Sequence, residues 1–192
     1  METSKENKII ARSLVSIFGG KPSVNLWWDE RETTSVAILK CADAPQRGVV
    51  SYATVNLSDH PVMMDGKPYP ARVEIVGACA AETRHFPNVI STCAFYIIKD
   101  KWFIAPGVIY PDIVTMYTMS KTLAHVMFVP PFLWDERLKT MTFESKTVAF
   151  LMAVPISEME RRHAEEHGAE ALETLFEDKQ IDVFDIDRPS VV

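Results

Sequence analysis

Residues 147–192, TVAFLMAVPISEMERRHAEEHGAEALETLFEDKQIDVFDIDRPSVV, hold the longest run of mutually consistent structural signals in the chain. Val148 to Val154 is an apolar run of strand length, and a run without polar alternation fits a strand covered on both faces. Pro155 is expected to end it. Ser157-Glu158-Met159-Glu160 has the form of a capping box, in which the serine oxygen accepts the Glu160 N–H and the glutamate reaches back to the serine N–H. A helix should start there, with Met159, Ala164, Leu172, Leu175 and Phe176 as its apolar stripe and glutamates on the other face. Gly168 costs a helix interior about 1 kcal/mol relative to alanine, so it reads as a joint between two short helices. Ile181 to Asp187 alternates in part and is read as a returning strand closed by Arg188-Pro189.

Working back from this unit, Ile9, Ile10, Leu14, Ile17 and Phe18 share one side of a helix that begins after Ser4 and stops at Gly19-Gly20. Val24, Leu26 and Trp28 alternate as a strand, Ser35 to Cys41 forms a second, Val49 to Leu57 a third and Arg72 to Cys79 a fourth. Short turns between them favour antiparallel pairing. After Phe86-Pro87, apolar residues from Val89 to Ile98 recur at helical spacing and mark a buried helix. Residues 100–123 read as irregular, Ala124 to Val129 as a strand, and Met141 to Phe143 as a local pairing. The pattern is an α+β fold: one domain over residues 1–192, with a mixed, mainly antiparallel sheet covered by helices.

The composition bounds the function. A chain of 192 residues buries a core without disulfides or metal. Cys41, Cys79 and Cys93 are odd in number and lack C-x-x-C spacing, so buried reduced thiols are expected. No apolar run approaches the roughly 18 to 20 residues of a membrane span, and the first residues do not resemble a signal peptide, so an intracellular, cytoplasmic protein with no membrane partner is expected. The formal charge of −6 is unevenly placed. From Pro155 onward eleven acidic residues face four basic ones, whereas fifteen face sixteen before it. No basic footprint for nucleic acid exists, while an acidic helical surface suits a basic protein partner.

The sharpest catalytic motif is His163-Ala164-Glu165-Glu166-His167, an H-x-x-E-H pattern whose histidines share a helix face and whose Glu166 would lie near a metal-bound water. Against a zinc hydrolase stand the need for a third protein ligand and the helix stop at Gly168. Gly19-Gly20-Lys21 is too short for a phosphate loop, and Asp182, Asp185 and Asp187 do not all share one strand face, which argues against a shared calcium site. No cofactor is expected, and no catalytic residue is assigned. Trp27 and Trp28 point to opposite faces of their strand, and an exposed Trp beside Asp29 and Glu30 would be a partner anchor. Glu166, Glu170 and Glu173 are the candidate contacts on the acidic helices.

The order AVPISEMERRHAEEHGAEALETLFEDKQIDVFDIDRPSV, together with GGKPSVNLWWDE, SYATVNLSDHPV and RVEIVGAC upstream, resembles the suppressor of fused-like domain family over most of residues 6 to 190. In animals that family inhibits by clamping a segment of a transcription factor, in proteins with a further C-terminal region. The short stand-alone members resemble bacterial immunity proteins. The resemblance therefore implies a cytoplasmic antitoxin that binds and neutralises a cognate protein toxin, including a nuclease toxin of the LXG type. The alternatives are the zinc hydrolase and a regulatory scaffold without a toxin partner. Nothing in the sequence sets the oligomeric state.

Overall fold

The computed structural model describes residues 4–134 and 137–192. Its centre is strand β10 (Thr147–Ser157), the apolar run that opens the sequence argument. It pairs parallel with β6 (Ala71–Ala80) and antiparallel with β8 (Leu123–Val129) and the short β9 (Met141–Thr142). Around it the sheet runs β1 (Lys21–Trp28), β2 (Ser35–Ala42), β3 (Val49–Thr54), β6, β10, β8 and β7 (Ile109–Tyr110). Only the β6 to β10 pairing is parallel, so the sheet is mixed and mainly antiparallel. The minor strands β4 (Met63–Met64) and β5 (Lys67–Pro68) form a separate hairpin.

The lack of alternation in β10 has the expected cause. Val148, Phe150, Met152, Val154 and Ile156 join one core, and Leu151 and Ala153 join the other. The first core is closed by α1 (Lys5–Phe18), by the α3 (Glu158–His167) and α4 (Ala169–Asp178) pair, and by Trp134, which stacks on Phe18 at 4.5 Å. The second is closed by α2 (Phe86–Lys99) and by the segment carrying Trp102 and Tyr110, which is not wholly irregular as expected, since it holds β7 and a 3₁₀ turn over Thr115–Tyr117. Helix α2 sits close because β6 carries Gly77 under it: a Cβ there would lie 2.9 Å from the Phe86 ring. All three cysteines are buried thiols, and burial pushes Cys41 up to about 11 and Cys79 up to about 12.

Ser4 caps α1 by accepting the Asn7 N–H. The capping box at Ser157 forms with both reciprocal bonds, and Gly168, at φ +93°, separates α3 from α4. Three expectations fail here. Pro155 does not end β10, which runs on to Ser157. Beyond Met152 no β6 residue pairs with β10, and the Pro155 carbonyl on that open edge accepts from Arg188 at 3.0 Å, so the missing N–H faces no ladder partner. Residues 181–187 form successive turns, not a strand. Asp182 and Asp185 each accept the N–H two residues on, Phe184 at 2.9 Å and Asp187 at 2.8 Å, a local bonding that outcompetes a ladder. The third strand is also shorter than expected, because Leu57 begins a 3₁₀ turn over Leu57–Asp59. A repeat of Trp28-Asp29-Glu30-Arg31 at positions 134–137 falls partly outside the described residues.

Candidate partner-binding surface

The acidic C-terminal helices present two kinds of carboxylate. On α3 they are engaged: Glu158 holds Arg161 and Arg162, and Glu165 pairs with Arg161. The Arg161 and Arg162 guanidiniums hold the Glu158 carboxyl well below the usual carboxylate range. Glu158 also accepts from buried His125 at 2.9 Å, whose Nδ1 takes the Asp112 N–H and so leaves the proton on Nε2. Beneath them Glu160 is fully buried and bound by both Arg188 nitrogens, at 2.6 and 3.0 Å, which ties the chain end to the start of α3.

On α4 the carboxylates are unengaged. Glu170, Glu173 and Glu177 follow one another at three and four residues, so they share one side of the helix. None forms an ion pair among the described residues. Glu173 and Glu177 border a cleft of about 360 Å³ between α4, the end of β8 and the turns after Gln180, walled by Val129, Phe132, Val154, Phe176 and Ile181, and Glu170 borders the neighbouring depression beside Gly168. Burial, then the charges of Glu170 and Glu177, pushes the Glu173 carboxyl up. Phe132 is 54 % exposed at the rim. An apolar floor, a half-exposed aromatic ring and unpaired like charges at the edge suit a partner that brings a cationic side chain next to an apolar one.

The other sequence candidates lie elsewhere. Trp27 packs against the α2-side core, while Trp28 is 53 % exposed and stands with Val24 and Leu26 on one face of edge strand β1. Asp29 is buried, a correction to its reading as a surface contact. Its carboxylate accepts from the Thr33 and Thr34 N–H groups and the Lys99 ammonium, so it organises the turn after β1, and Lys99 above all holds it far below the usual range. Glu30 and Glu166 are exposed. Strands β1 and β8 are five steps apart in the sheet, roughly 24 Å, so the tryptophans and the glutamates form two surfaces. Phe132 and Glu177 are additions to the acidic one. Glu177 was available as the next member of the 170, 173 series; nothing in the sequence marks Phe132 as exposed.

His163 and His167 do share a helix face, with ring centroids 4.6 Å apart. Among the described residues no group of three or more His, Cys, Asp or Glu side chains is placed to hold a metal ion. No helix there is long and apolar enough to cross a membrane.

With this geometry in view, the chain compares with known proteins as follows. Residues 32–189 match the family model described as suppressor of fused protein. The chain is 47 % identical to immunity protein YqcF of Bacillus subtilis (strain 168) over 192 residues, covering the whole of both chains. Its fold resembles a suppressor of fused homolog from Neisseria gonorrhoeae FA 1090, with a TM-score of 0.70 at 17 % identity over 97 % of each chain. It also resembles a chain of the Sufu–Fu complex, with a TM-score of 0.66 at 13 % identity over 97 % of this chain and 92 % of that one. The full-length similarity and the family match lead to one conclusion: the chain belongs to the suppressor of fused family.

Proposed function

We propose that the protein is an immunity protein, acting in the cytoplasm of the producing cell, that binds a cognate toxin and blocks it without catalysis. The observation that carries this reading is the α4 cleft, where unpaired Glu173 and Glu177 rim an apolar floor and Glu170 follows on the same side of the helix. The end-to-end similarity to a protein named as an immunity protein supports the same reading. A toxin that attacks nucleic acid needs a basic surface to approach phosphate, and carboxylates around an apolar anchor site can occupy that surface. The partner we infer is therefore a nuclease toxin, with the LXG type as the case to try first.

Co-expression with the toxin encoded beside this gene tests the proposal directly. Cells producing both proteins should survive, and the pair should co-purify with the toxin inactive. Continued killing in the presence of soluble, abundant protein would overturn it.

A further inference from the structure

A larger cavity, of about 660 Å³, opens where the β10 ladder is interrupted. Strand β9 pairs with β10 through Val148, and β8 pairs with it only from Met152. Lys146 accepts the Phe143 N–H, so even-numbered residues of this strand turn their backbone groups toward that side, and Phe150 has no strand opposite it. Pro130, Pro131, Leu138 and Thr140 line the opening with Ala149, Phe150 and Leu151. The remaining walls include Val62, Tyr69, Val73 and Ile104. This volume and apolar lining match small-ligand sites, which characteristically add a few convergent polar groups.

Here the polar groups are cationic. Arg72 and Lys139 line the cavity, and Nη1 of Arg72 is buried without a hydrogen-bond partner. A buried donor left unpaired is costly, so an acceptor that reached the guanidinium would be stabilised there. The nearby carboxylates of Asp59 and Glu74 are taken. Asp59 holds Lys146 at 2.7 Å and Asn7 at 2.6 Å, and Glu74 accepts from Thr54, Leu57 and Ser58. Neighbouring His60, whose pKa burial lowers, feels Asp59 on one hand and Lys101, Arg72 and Lys146 on the other.

We propose that this cavity binds an apolar compound bearing a single carboxylate, with the carboxylate on Arg72 and the apolar body between Val62, Tyr69, Ile104 and Leu138. The site is separate from the α4 cleft and does not depend on the toxin reading. The chemistry fits a free aryl or alkyl acid and equally the C-terminal carboxylate of a chain ending in an apolar residue.

Calorimetric titration with 4-phenylbutyrate and with 4-phenylbutylamine separates charge from apolar bulk. The acid should bind and the amine should not. Arg72→Met, which keeps the apolar stem, should weaken the acid at least tenfold. Ala105→Trp, on the loop wall with Arg72 intact, should abolish binding by filling the space. Each variant is first shown to melt cooperatively. Acetyl-Ala-Ala-Leu with a free carboxylate, run beside its amide, identifies the source: tighter binding than phenylbutyrate assigns the site to a chain terminus, and the reverse order to a free acid. Equal binding of acid and amine, no binding of either acid, or full affinity in folded Arg72→Met would overturn the proposal.

Discussion

Glu74 is completely buried on β6 and forms no ion pair among the described residues. Its oxygens accept from the Thr54 hydroxyl at 2.5 Å and from the Leu57 and Ser58 N–H groups at 3.2 and 3.0 Å, so one carboxyl pins the 3₁₀ turn after β3 to the sheet. Burial raises its pKa, and the hydrogen bonds oppose that shift. The folded state therefore holds the proton more tightly than the unfolded chain does. The resulting stabilisation is full below the unfolded value of about 4.3 and is lost as pH rises through the folded value. Glu74→Gln has nearly the same shape but turns its amide NH2, a donor, toward the donors of this site, so it should cost about 1 to 3 kcal/mol. It should also flatten the decline in stability between pH 5 and pH 8. Urea denaturation at both pH values checks this; an unchanged slope in the variant would assign the pH dependence to another group. None of this was legible in the sequence, where Glu74 is the polar member of an apolar strand and its partners lie 16 to 20 residues away. Local chemistry was legible: Ser4 and Ser157 were readable as caps because their partners lie three residues on. Arg188, which completes the Glu160 site from 28 residues away, was not.

At the scale of elements, β10 and the two helices after it form where the periodicity places them, because burial on both faces removes alternation and a capping box needs only four residues; Met159, expected on the apolar stripe, is 49 % exposed because Glu160 takes the inward position. The errors come from the same kind of pattern used once too often. Ile181 to Asp187 alternates like a strand, but its aspartates bond their own backbone and leave turns. In β1 the alternation is real, yet Val24, Leu26 and Trp28 turn toward solvent; period two marks a face and does not say what covers it. Helices α3 and α4 contribute Ala164 and Leu172 to the core containing Val154, Ile156, Met127 and Val129. Ending the chain at Ser157 would expose that face at about 25 cal/mol per Å² and would remove both Glu160 and Arg188. The expected product is insoluble or without a cooperative melt. A soluble fragment with a sharp transition would show that the C-terminal helices are an appended module.

Over the whole molecule the acidity of the C-terminal end divides into carboxylates that hold the structure and carboxylates that are left over. The charge count cannot make that division, since Glu158, Glu160 and Glu165 are as acidic in the sequence as Glu170, Glu173 and Glu177. Only the former meet arginines. If the α4 cleft receives a basic toxin, reversing its rim should act on encounter, because complementary charge raises association rate and fades with salt. Glu170→Lys, Glu173→Lys and Glu177→Lys together should slow association at low salt by at least tenfold, while Glu166→Lys, on α3 outside the cleft, should change it far less. Phe132→Ala should instead speed dissociation, with a loss of about 2 kcal/mol if the ring is an anchor. Surface plasmon resonance against the cognate toxin at two salt concentrations separates these effects, with circular dichroism confirming that each variant is folded. Survival in co-expression combined with unchanged rates in the triple variant would retain immunity but move the contact away from α4, leaving the Trp28 edge of the sheet as the face to mutate next.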